Sequence, residues 1–151
     1  MRLVIQRVSE ASVEADGEVV GRIGAGMLVL VGAEAGDDAA AAEEAARKVA
    51  VLRIFEDAAG KMNLGLAEIG GSVLAVSQFT LAADLSKGRR PGFDRALPGS
   101  EALPLYLRFV EALREQGVTV ETGVFAAEMR VSLVNEGPAT FVLDVRAETK
   151  P

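Results

Sequence analysis

The run of apolar residues at Met27–Gly32 is the feature that most constrains how this chain can fold. A strand without polar alternation is typical of strands that are buried on both faces of a sheet. Ser72–Gln78 is a second strongly apolar strand. Because such strands need covering layers, the rest of the chain is expected to supply helices and further strands that pack on them.

Shorter strands are predicted on either side of these two runs. Asp16-Gly17 is a strong hairpin turn signal, with one strand before it and a returning strand after it. Near the end of the chain, apolar segments separated by turn residues predict three more strands. The full set of these shorter strands is Val4–Val8, Ser12–Ala15, Glu18–Ile23, Val118–Thr122, Met129–Asn135 and Thr140–Arg146.

Two helices are predicted from apolar residues at spacings of three and four. With Asp37 as its N-cap, the first runs to about Arg53. Ser100 can cap the second, at about Ala102–Gln116, and Gly117 serves as its C-cap. The inward stripes are Ala42, Ala45, Ala46, Val49 and Leu52 in the first helix, and Leu103, Leu107, Val110 and Leu113 in the second.

The order of these elements predicts a fold of the mixed α/β class. No repeat or linker interrupts the chain, so one domain is expected over residues 1–151. Asp57–Gly60 is predicted to be a turn. Ala82–Gly99 contains three Gly and two Pro, which predicts a long irregular loop. Loops of that length inside compact domains are usually functional or mobile.

The residue types that the chain lacks exclude several kinds of chemistry. There is no His and no Cys, so Ser-His-Asp and Cys-His catalysis and the usual zinc sites are excluded, and no metal is expected. The net charge of −6 argues against a protein that coats nucleic acid indiscriminately. The longest apolar runs are far too short to cross a bilayer. No signal peptide is predicted at the N-terminus, and the cytoplasm is the expected compartment.

Three polar segments are candidates for chemistry. Ser77-Gln78-Phe79-Thr80 ends an apolar strand, where hydroxyls, an amide and free backbone N–H groups reach the rim of a sheet. Asn135–Thr140 joins two predicted strands and contains a Gly-Pro bond. The loop 86–93 carries the cations Lys87, Arg89 and Arg90 and ends at Phe93, which suits phosphate contacts and stacking. Taken singly, these segments also fit a fraying strand, a turn and a solvated loop.

Taken together, these segments resemble the D-aminoacyl-tRNA deacylase family over essentially the whole chain. Ser77–Leu81 reproduces the family's SQFTL motif, and Asn135–Thr140 fits its NxGPxT motif. Ile5–Val8 resembles the family's opening strand, and Arg53-Ile54-Phe55 with Lys61–Leu64 resembles its middle. Glu136, Ala139 and Gly92 stand where Asp, Val and Ser are more usual in the family.

The resemblance implies a β/β/α layered domain of the order β(2)-(αβ)2-β(3), with two helices packed on a barrel-like pair of sheets. It implies hydrolysis of D-aminoacyl-tRNA, and of glycyl-tRNA mischarged on tRNA(Ala), without a cofactor. It also implies a homodimer with active sites at the interface, where Gly137-Pro138, joined by a cis peptide, exclude L side chains. The implied catalytic residues are Ser77, Gln78, Phe79 and Thr80. The implied residues for substrate binding and chiral selection are Gly137, Pro138, Met129 and Asn135, and the implied tRNA contacts are Lys87, Arg89 and Arg90.

The mechanism that the resemblance implies has two versions. In one, Thr80 is the nucleophile, and in the other the 2′-OH of the terminal adenosine of the tRNA has the activating role. A Thr hydroxyl needs an adjacent base, and the chain has no His to serve as one. Since an aminoacyl ester is already reactive, positioning and oxyanion stabilisation favour the second version.

Two other classes of function remain open from the residues alone. One is a non-catalytic module that binds an RNA end or a nucleotide. The other is a structural dimer in which the Gly-Pro turn is a packing device. The presence of both Ser77–Leu81 and Asn135–Thr140 argues against the binding module, which has no need of both.

Overall fold

The computed structural model describes residues 1–147. The elements in chain order are β1 Arg2–Ala15, β2 Glu18–Ile23, β3 Gly26–Gly32, α1 Ala39–Val51, β4 Phe55–Glu56, β5 Met62–Leu64, α2 Leu66–Ile69, β6 Ser72–Ser77, a 3-10 helix Phe79–Ala82, α3 Gly99–Glu115, β7 Thr119–Thr122 and β8 Met129–Asp144. Six strands form one sheet, in the order β2-β1-β3-β6-β7, and β8 pairs with β1 outside this path. A separate two-stranded sheet consists of β4 and β5.

Two long strands replace four of the short predicted ones. Val4–Val8 and Ser12–Ala15 are parts of the single strand β1, and Met129–Asn135 and Thr140–Arg146 fall in the single strand β8, which ends at Asp144. The separate strands were wrong because β1 and β8 pair on both sides of each polar interruption, with register shifts between Gln6 and Glu10. Such irregularities bend a strand without ending it.

The bend lets β1 belong to two layers. Its first half pairs with β3, and its second half pairs with β2. One hydrophobic cluster lies between the resulting two layers of sheet, and it includes Val13, Leu28 and Leu74. The larger cluster lies between the sheet and the helices. The layered arrangement of helices on a barrel-like pair of sheets is therefore confirmed.

The helices lie near their predicted positions, with corrections at the ends. Asp38, and not Asp37, caps α1 by accepting a hydrogen bond from the Ala41 N–H. The Asp37 carboxylate instead accepts from the Met1 ammonium at 2.7 Å. Helix α1 ends two residues before the predicted Arg53, at Val51, because the backbone of Leu52 is extended.

The second long helix, α3, begins at Gly99 with Pro98 as its N-cap, so Ser100 lies inside it. It ends at Glu115; Gln116 is the C-cap, and Gly117 follows with a φ of 84°. Val110 and Leu113 are buried as predicted, but Leu107 is 52% exposed. The actual buried face is rotated toward Tyr106 and Phe109, the larger aromatic side chains.

Several short elements were not predicted because each is too short to show a hydrophobic period. These are β4, β5, α2 and the 3-10 helix. The Asp57–Gly60 turn is confirmed, and the strand predicted over Ser72–Gln78 ends at Ser77.

None of the helices within residues 1–147 has the length and apolar character to cross a membrane. The prediction of one domain over residues 1–151 stays a prediction, and its last four residues lie outside the described range.

Candidate active site

A cavity of about 430 Å³ opens between the two layers of sheet, at the end of β6. Ser77 and Gln78 form its polar side, Phe79 follows them, and Met129 of β8 also lines the cavity. The remaining lining is mostly apolar and comes from β3, β6, α3 and β8 and from the loops next to them: Val31, Ala33, Val76, Leu97, Gly99, Ala102, Tyr106, Phe125, Ala126, Ala127 and Val131. Four residues predicted as site residues therefore surround one concave space.

The polar end of β6 is held by its backbone. Ser77 is level with Val31 in the parallel ladder, and the Gln78 N–H donates to the Val31 carbonyl at 2.8 Å. The chain then turns into the 3-10 helix. Within residues 1–147, the N–H groups of Phe79 and Thr80 donate to no carbonyl or side chain. Two unpaired N–H groups at the mouth of a cavity can stabilise a developing oxyanion.

Within the described residues, no carboxylate or amine hydrogen-bonds to the Thr80 hydroxyl. Its Oγ1 accepts a hydrogen bond from the Gln78 amide Nε2 at 2.5 Å, and the side chain is exposed. An amide N–H cannot remove a proton, so this contact orients the hydroxyl without activating it.

Tyr106 supports the cavity from the helix side. Its hydroxyl donates to the Ala75 carbonyl of β6 at 2.7 Å, just where the pairing between β6 and β7 ends at Ala75 and Thr122. Burial raises the pKa of Tyr106 to about 12, so the phenol stays neutral and remains a donor. The ring lies 6.1 Å from that of Phe125, which also lines the cavity. Beyond the end of the pairing with β7, the Tyr106 hydroxyl thus holds the last residues of β6.

The Gly-Pro segment forms an exposed bulge within β8. Gln6 pairs with Thr140 and Val8 with Asn135, so four residues of β8 lie opposite Arg7 alone. The Gly137–Pro138 peptide is cis. The Asn135 side chain closes the base of the bulge, since it accepts from the Ala139 N–H at 2.9 Å and donates to the Ala139 carbonyl at 3.1 Å.

Arg7 anchors this bulge from below. Although it is charged, its side chain is only 9% exposed. Its Nη1 donates to the Ile54 carbonyl at 2.7 Å, and its Nε donates to the Glu136 carbonyl at 3.0 Å. A Cβ on Gly137 would collide with Nη2 of Arg7. The guanidinium therefore fills the space that a side chain at position 137 would need.

The cavity and the Gly-Pro bulge do not meet within one chain. Arg7, beside the bulge, pairs with Met27 of β3, whereas Ser77 is level with Val31 of the same strand. Four residues of strand cover about 13 Å. Three strand spacings separate β8 from β6 across the sheet, which adds roughly 14 Å. The exposed Gly137–Pro138 peptide is thus remote from the cavity of its own subunit.

The predicted basic loop lies beside the mouth of the cavity. Asp84 and Gly92 close its base through two backbone hydrogen bonds of 2.7 and 2.9 Å. Hydrogen bonds from Ser86 hold the pKa of the Asp84 carboxyl below its usual range. Among residues 1–147, no carboxylate forms an ion pair with the exposed cations of the loop, which are Lys87, Arg89 and Arg90.

Sequence reasoning missed Arg7, Tyr106 and Phe125. A signal for Arg7 was present: it falls in the same inward phase of β1 as the buried residues Leu3 and Ile5. An Arg in an apolar phase indicates a buried guanidinium with specific partners. In the part of the chain from 1 to 147, no cluster of three or more acidic, His or Cys side chains could hold a metal ion.

Comparison with known proteins gives a consistent result. The model of a family described as D-Tyr-tRNA(Tyr) deacylase matches residues 4–144. A D-aminoacyl-tRNA deacylase of Geobacter sulfurreducens is 58% identical over 99% of this chain and 98% of its own. One from Thermomicrobium roseum is 62% identical over 95% of this chain and 94% of its own.

The fold matches solved structures as well. The structure of a c-Myc DNA unwinding element binding protein superimposes with a TM-score of 0.90 at 38% identity, covering 97% of this chain and 100% of that one. A probable eukaryotic D-amino acid tRNA deacylase gives a TM-score of 0.84 at 19% identity, which supports the fold alone. Fold and relatives thus assign the chain to a class of hydrolases built on two layers of sheet covered by helices. The chain belongs to the D-Tyr-tRNA(Tyr) deacylase family.

Proposed function

We propose that this protein is a cytoplasmic D-aminoacyl-tRNA deacylase, which hydrolyses the ester between a D-amino acid and the 3′ end of tRNA. The observation that carries the proposal is the cavity at the end of β6, which is lined by the polar residues Ser77 and Gln78 and by Phe79. The identity of 58% to a D-aminoacyl-tRNA deacylase over nearly the whole chain supports the same activity.

In the proposed mechanism, the protein positions the ester and stabilises the charge that develops on it. The unpaired N–H groups of Phe79 and Thr80 would donate hydrogen bonds to the scissile carbonyl oxygen as it becomes an oxyanion. Thr80 receives a hydrogen bond from Gln78, and no residue in 1–147 forms a hydrogen bond that would make it a base for Thr80, so Thr80 is not the proposed nucleophile. The proposed activating group is the 2′-OH of the terminal adenosine, and the proposed nucleophile is water.

The proposed active unit is a homodimer. The distance between the cavity and the Gly137–Pro138 bulge supports this, since a site that uses both must combine two copies. A two-fold arrangement is the commonest way for identical chains to complete each other's sites. If the proposal holds, light scattering will give a dimer, and a stable monomer with full activity would refute the shared site.

Chiral selection is proposed to work by exclusion. The backbone of Gly137 and Pro138 of one subunit would occupy the position of an L side chain in the partner's cavity, and the anchor at Arg7 supports such a rigid role. A steric barrier of this kind depends little on the identity of the side chain. It would admit D residues of many sizes and glycine, including glycine mischarged on tRNA(Ala), and would reject L-alanine.

A hydrolysis assay tests the activity and the selection together. D-tyrosyl-, glycyl- and L-alanyl-tRNA are incubated with the protein, and the release of each amino acid is followed. The first two are expected to be cleaved and the third to survive. Rapid cleavage of L-alanyl-tRNA would refute exclusion. Tight binding of tRNA without cleavage of any ester would favour the non-catalytic RNA-end module instead.

The loop that contains Lys87, Arg89 and Arg90 is proposed to contact the phosphates of the tRNA. Three cations that form no ion pair with a carboxylate of residues 1–147, in a protein of net charge −6, support this role. Replacing Arg89 and Arg90 by Ala should weaken tRNA binding and reduce the slope of log affinity against log salt by roughly one unit for each lost contact. An unchanged slope would make the loop a solvated surface.

A further inference from the structure

The two exposed aromatic side chains among residues 1–147 lie in contact with each other. Phe79 is 57% exposed and Phe93 is 41% exposed. Their ring centroids are 5.3 Å apart, with the ring planes tilted by 51°. All other Phe and Tyr side chains of this part of the chain are buried or half-buried. An isolated exposed aromatic is ordinary, but a contacting pair at the mouth of a cavity forms a continuous apolar platform.

The surroundings of this pair are suited to a nucleic acid. Phe79 lines the cavity itself. Phe93 follows directly after the base of the basic loop, whose cations at positions 87, 89 and 90 carry no acidic partner within the described residues. Aromatic faces next to free cations are how proteins bind single-stranded nucleic acid, since bases stack on the rings and phosphates contact the cations. A hydrophobic protein partner would have no use for the three cations.

The position of Phe93 is fixed by the backbone around it. Asp84 and Gly92 are bridged immediately before it, and its own carbonyl accepts from the Ala96 N–H at 3.0 Å. The chain is then attached to the segment after β3, where the Ala35 N–H donates to the Arg95 carbonyl at 2.8 Å. Because the backbone is held on both sides of Phe93, the protein loses little conformational entropy when a ligand binds to the platform.

We infer that Phe93, packed on Phe79, is a positioning residue that stacks an unpaired base next to the aminoacylated nucleotide at the single-stranded 3′ end of the substrate RNA. The cavity takes the aminoacylated nucleotide, and the basic loop contacts the phosphates that lead to it. This inference rests on the proposed function, because it assigns the substrate end to the same cavity. The stacking contact lies outside the reacting nucleotide. The protein should therefore prefer a polynucleotide substrate to a free nucleoside ester.

Binding tests the platform independently of hydrolysis. The probes are two 5′-fluorescein RNA hairpins, one with an unpaired ACCA 3′ end and one with only the last nucleotide unpaired. Phe93→Leu keeps apolar contact with Phe79 but removes the aromatic face. It should weaken binding of the first probe by roughly tenfold to a hundredfold and leave binding of the second unchanged. Phe93→Trp should retain wild-type affinity for both.

Leu85→Ala is the matched control, because Leu85 is an apolar residue of the same loop and is 73% exposed. It should bind both probes like the wild type. Equal affinity of Phe93→Leu and wild type for the first probe would overturn the inference. An equal loss on both probes would overturn it too, since Phe93 would then only support Phe79.

Kinetics separates this inference from the proposed function. For D-tyrosyl-tRNA, Phe93→Leu should raise KM by the same factor as the loss of affinity, with kcat retained. For D-tyrosyl-adenosine, which has no preceding base, KM and kcat should not change. If the wild type hydrolyses neither ester, the proposed function fails while the binding result still decides the platform. If the wild type hydrolyses both and Phe93→Leu has unchanged kinetics, only the platform fails.

Discussion

The two polar segments of this protein are held in place by different kinds of interaction. The Ser77–Ala82 segment continues a central strand, and its position is fixed by backbone hydrogen bonds to β3 and by the Tyr106 hydroxyl on Ala75. The Asn135–Ala139 bulge has left the backbone ladder, and side chains hold it: Arg7 from below and Asn135 across its base. One segment is positioned by the sheet, and the other by two side chains.

The difference has a consequence for substitutions. A segment held by its backbone keeps its position when its own side chains are replaced, because the hydrogen bonds do not involve them. A segment held by a buried guanidinium loses its position when that one group is removed, because carbonyls are then left without donors. Substitutions that affect the bulge should therefore change its structure and the stability of the protein together. Substitutions in the 3-10 helix should change the activity alone.

Arg7→Ala should have the largest effect. It removes the donors to the Ile54 and Glu136 carbonyls, and two lost charge-assisted hydrogen bonds should lower the free energy of unfolding by about 3 kcal/mol. Urea denaturation measures this. Arg2→Ala is the control on the same strand, since it removes an exposed ion pair with Asp144 worth less than about 1 kcal/mol. Equal losses of stability in Arg7→Ala and Arg2→Ala would show that the buried guanidinium of Arg7 does not hold the bulge.

Gly137→Ala should cost somewhat less, about 2 kcal/mol. The φ of Gly137 is 121°, which L side chains rarely adopt, and the new Cβ would collide with the Arg7 guanidinium. Gly36→Ala, at a φ of 91°, has open space around its Cβ. The excess of the first loss over the second, measured by thermal unfolding, includes the contact with Arg7. If the two losses of stability were equal, the Arg7 side chain would move aside without cost and would not fix the bulge.

Tyr106→Phe should cost about 1 kcal/mol near neutral pH, because one neutral hydrogen bond to Ala75 is lost. The folded state raises the pKa of Tyr106 from 10.0 to about 12. The phenol therefore contributes stability that is fully present below pH 10 and is lost as the pH rises through about 12. The stabilities of wild type and variant should converge over that range. If the difference in stability between wild type and Tyr106→Phe did not depend on pH, a role for the neutral phenol would be contradicted.

Thr80→Val should have the smallest effect on stability, within about 0.5 kcal/mol, because only an exposed side-chain contact with Gln78 is lost. The proposed mechanism predicts less than a tenfold loss of kcat for D-tyrosyl-tRNA. Thr80→Ser, which keeps the hydroxyl, is the control. If Thr80→Val is folded but inactive while Thr80→Ser is active, Thr80 has the nucleophilic role and the substrate hydroxyl does not.

Much of the fold could be predicted because its main elements are long enough to show their period. The buried strand β3 and both long helices were located to within a few residues. Prediction failed at the polar interruptions of β1 and β8, where local sequence indicates a break but the two strands pair on both sides of it. It also failed for Leu107, since the choice of buried face depended on where Tyr106 and Phe109 meet the sheet.

For the candidate site, the sequence by itself determined the chemistry: the absence of His and Cys, the polar residues after the apolar strand, and the Gly-Pro pair. These are properties of residue type and near neighbours, which local sequence contains. Only the tertiary structure decided that Arg7 holds the bulge, through contacts that reach 47 and 129 residues along the chain. The bend of β1 likewise decided that Met129 and Ser77 line the same cavity. Such contacts depend on how strands curve and stack, and no local pattern specifies that geometry.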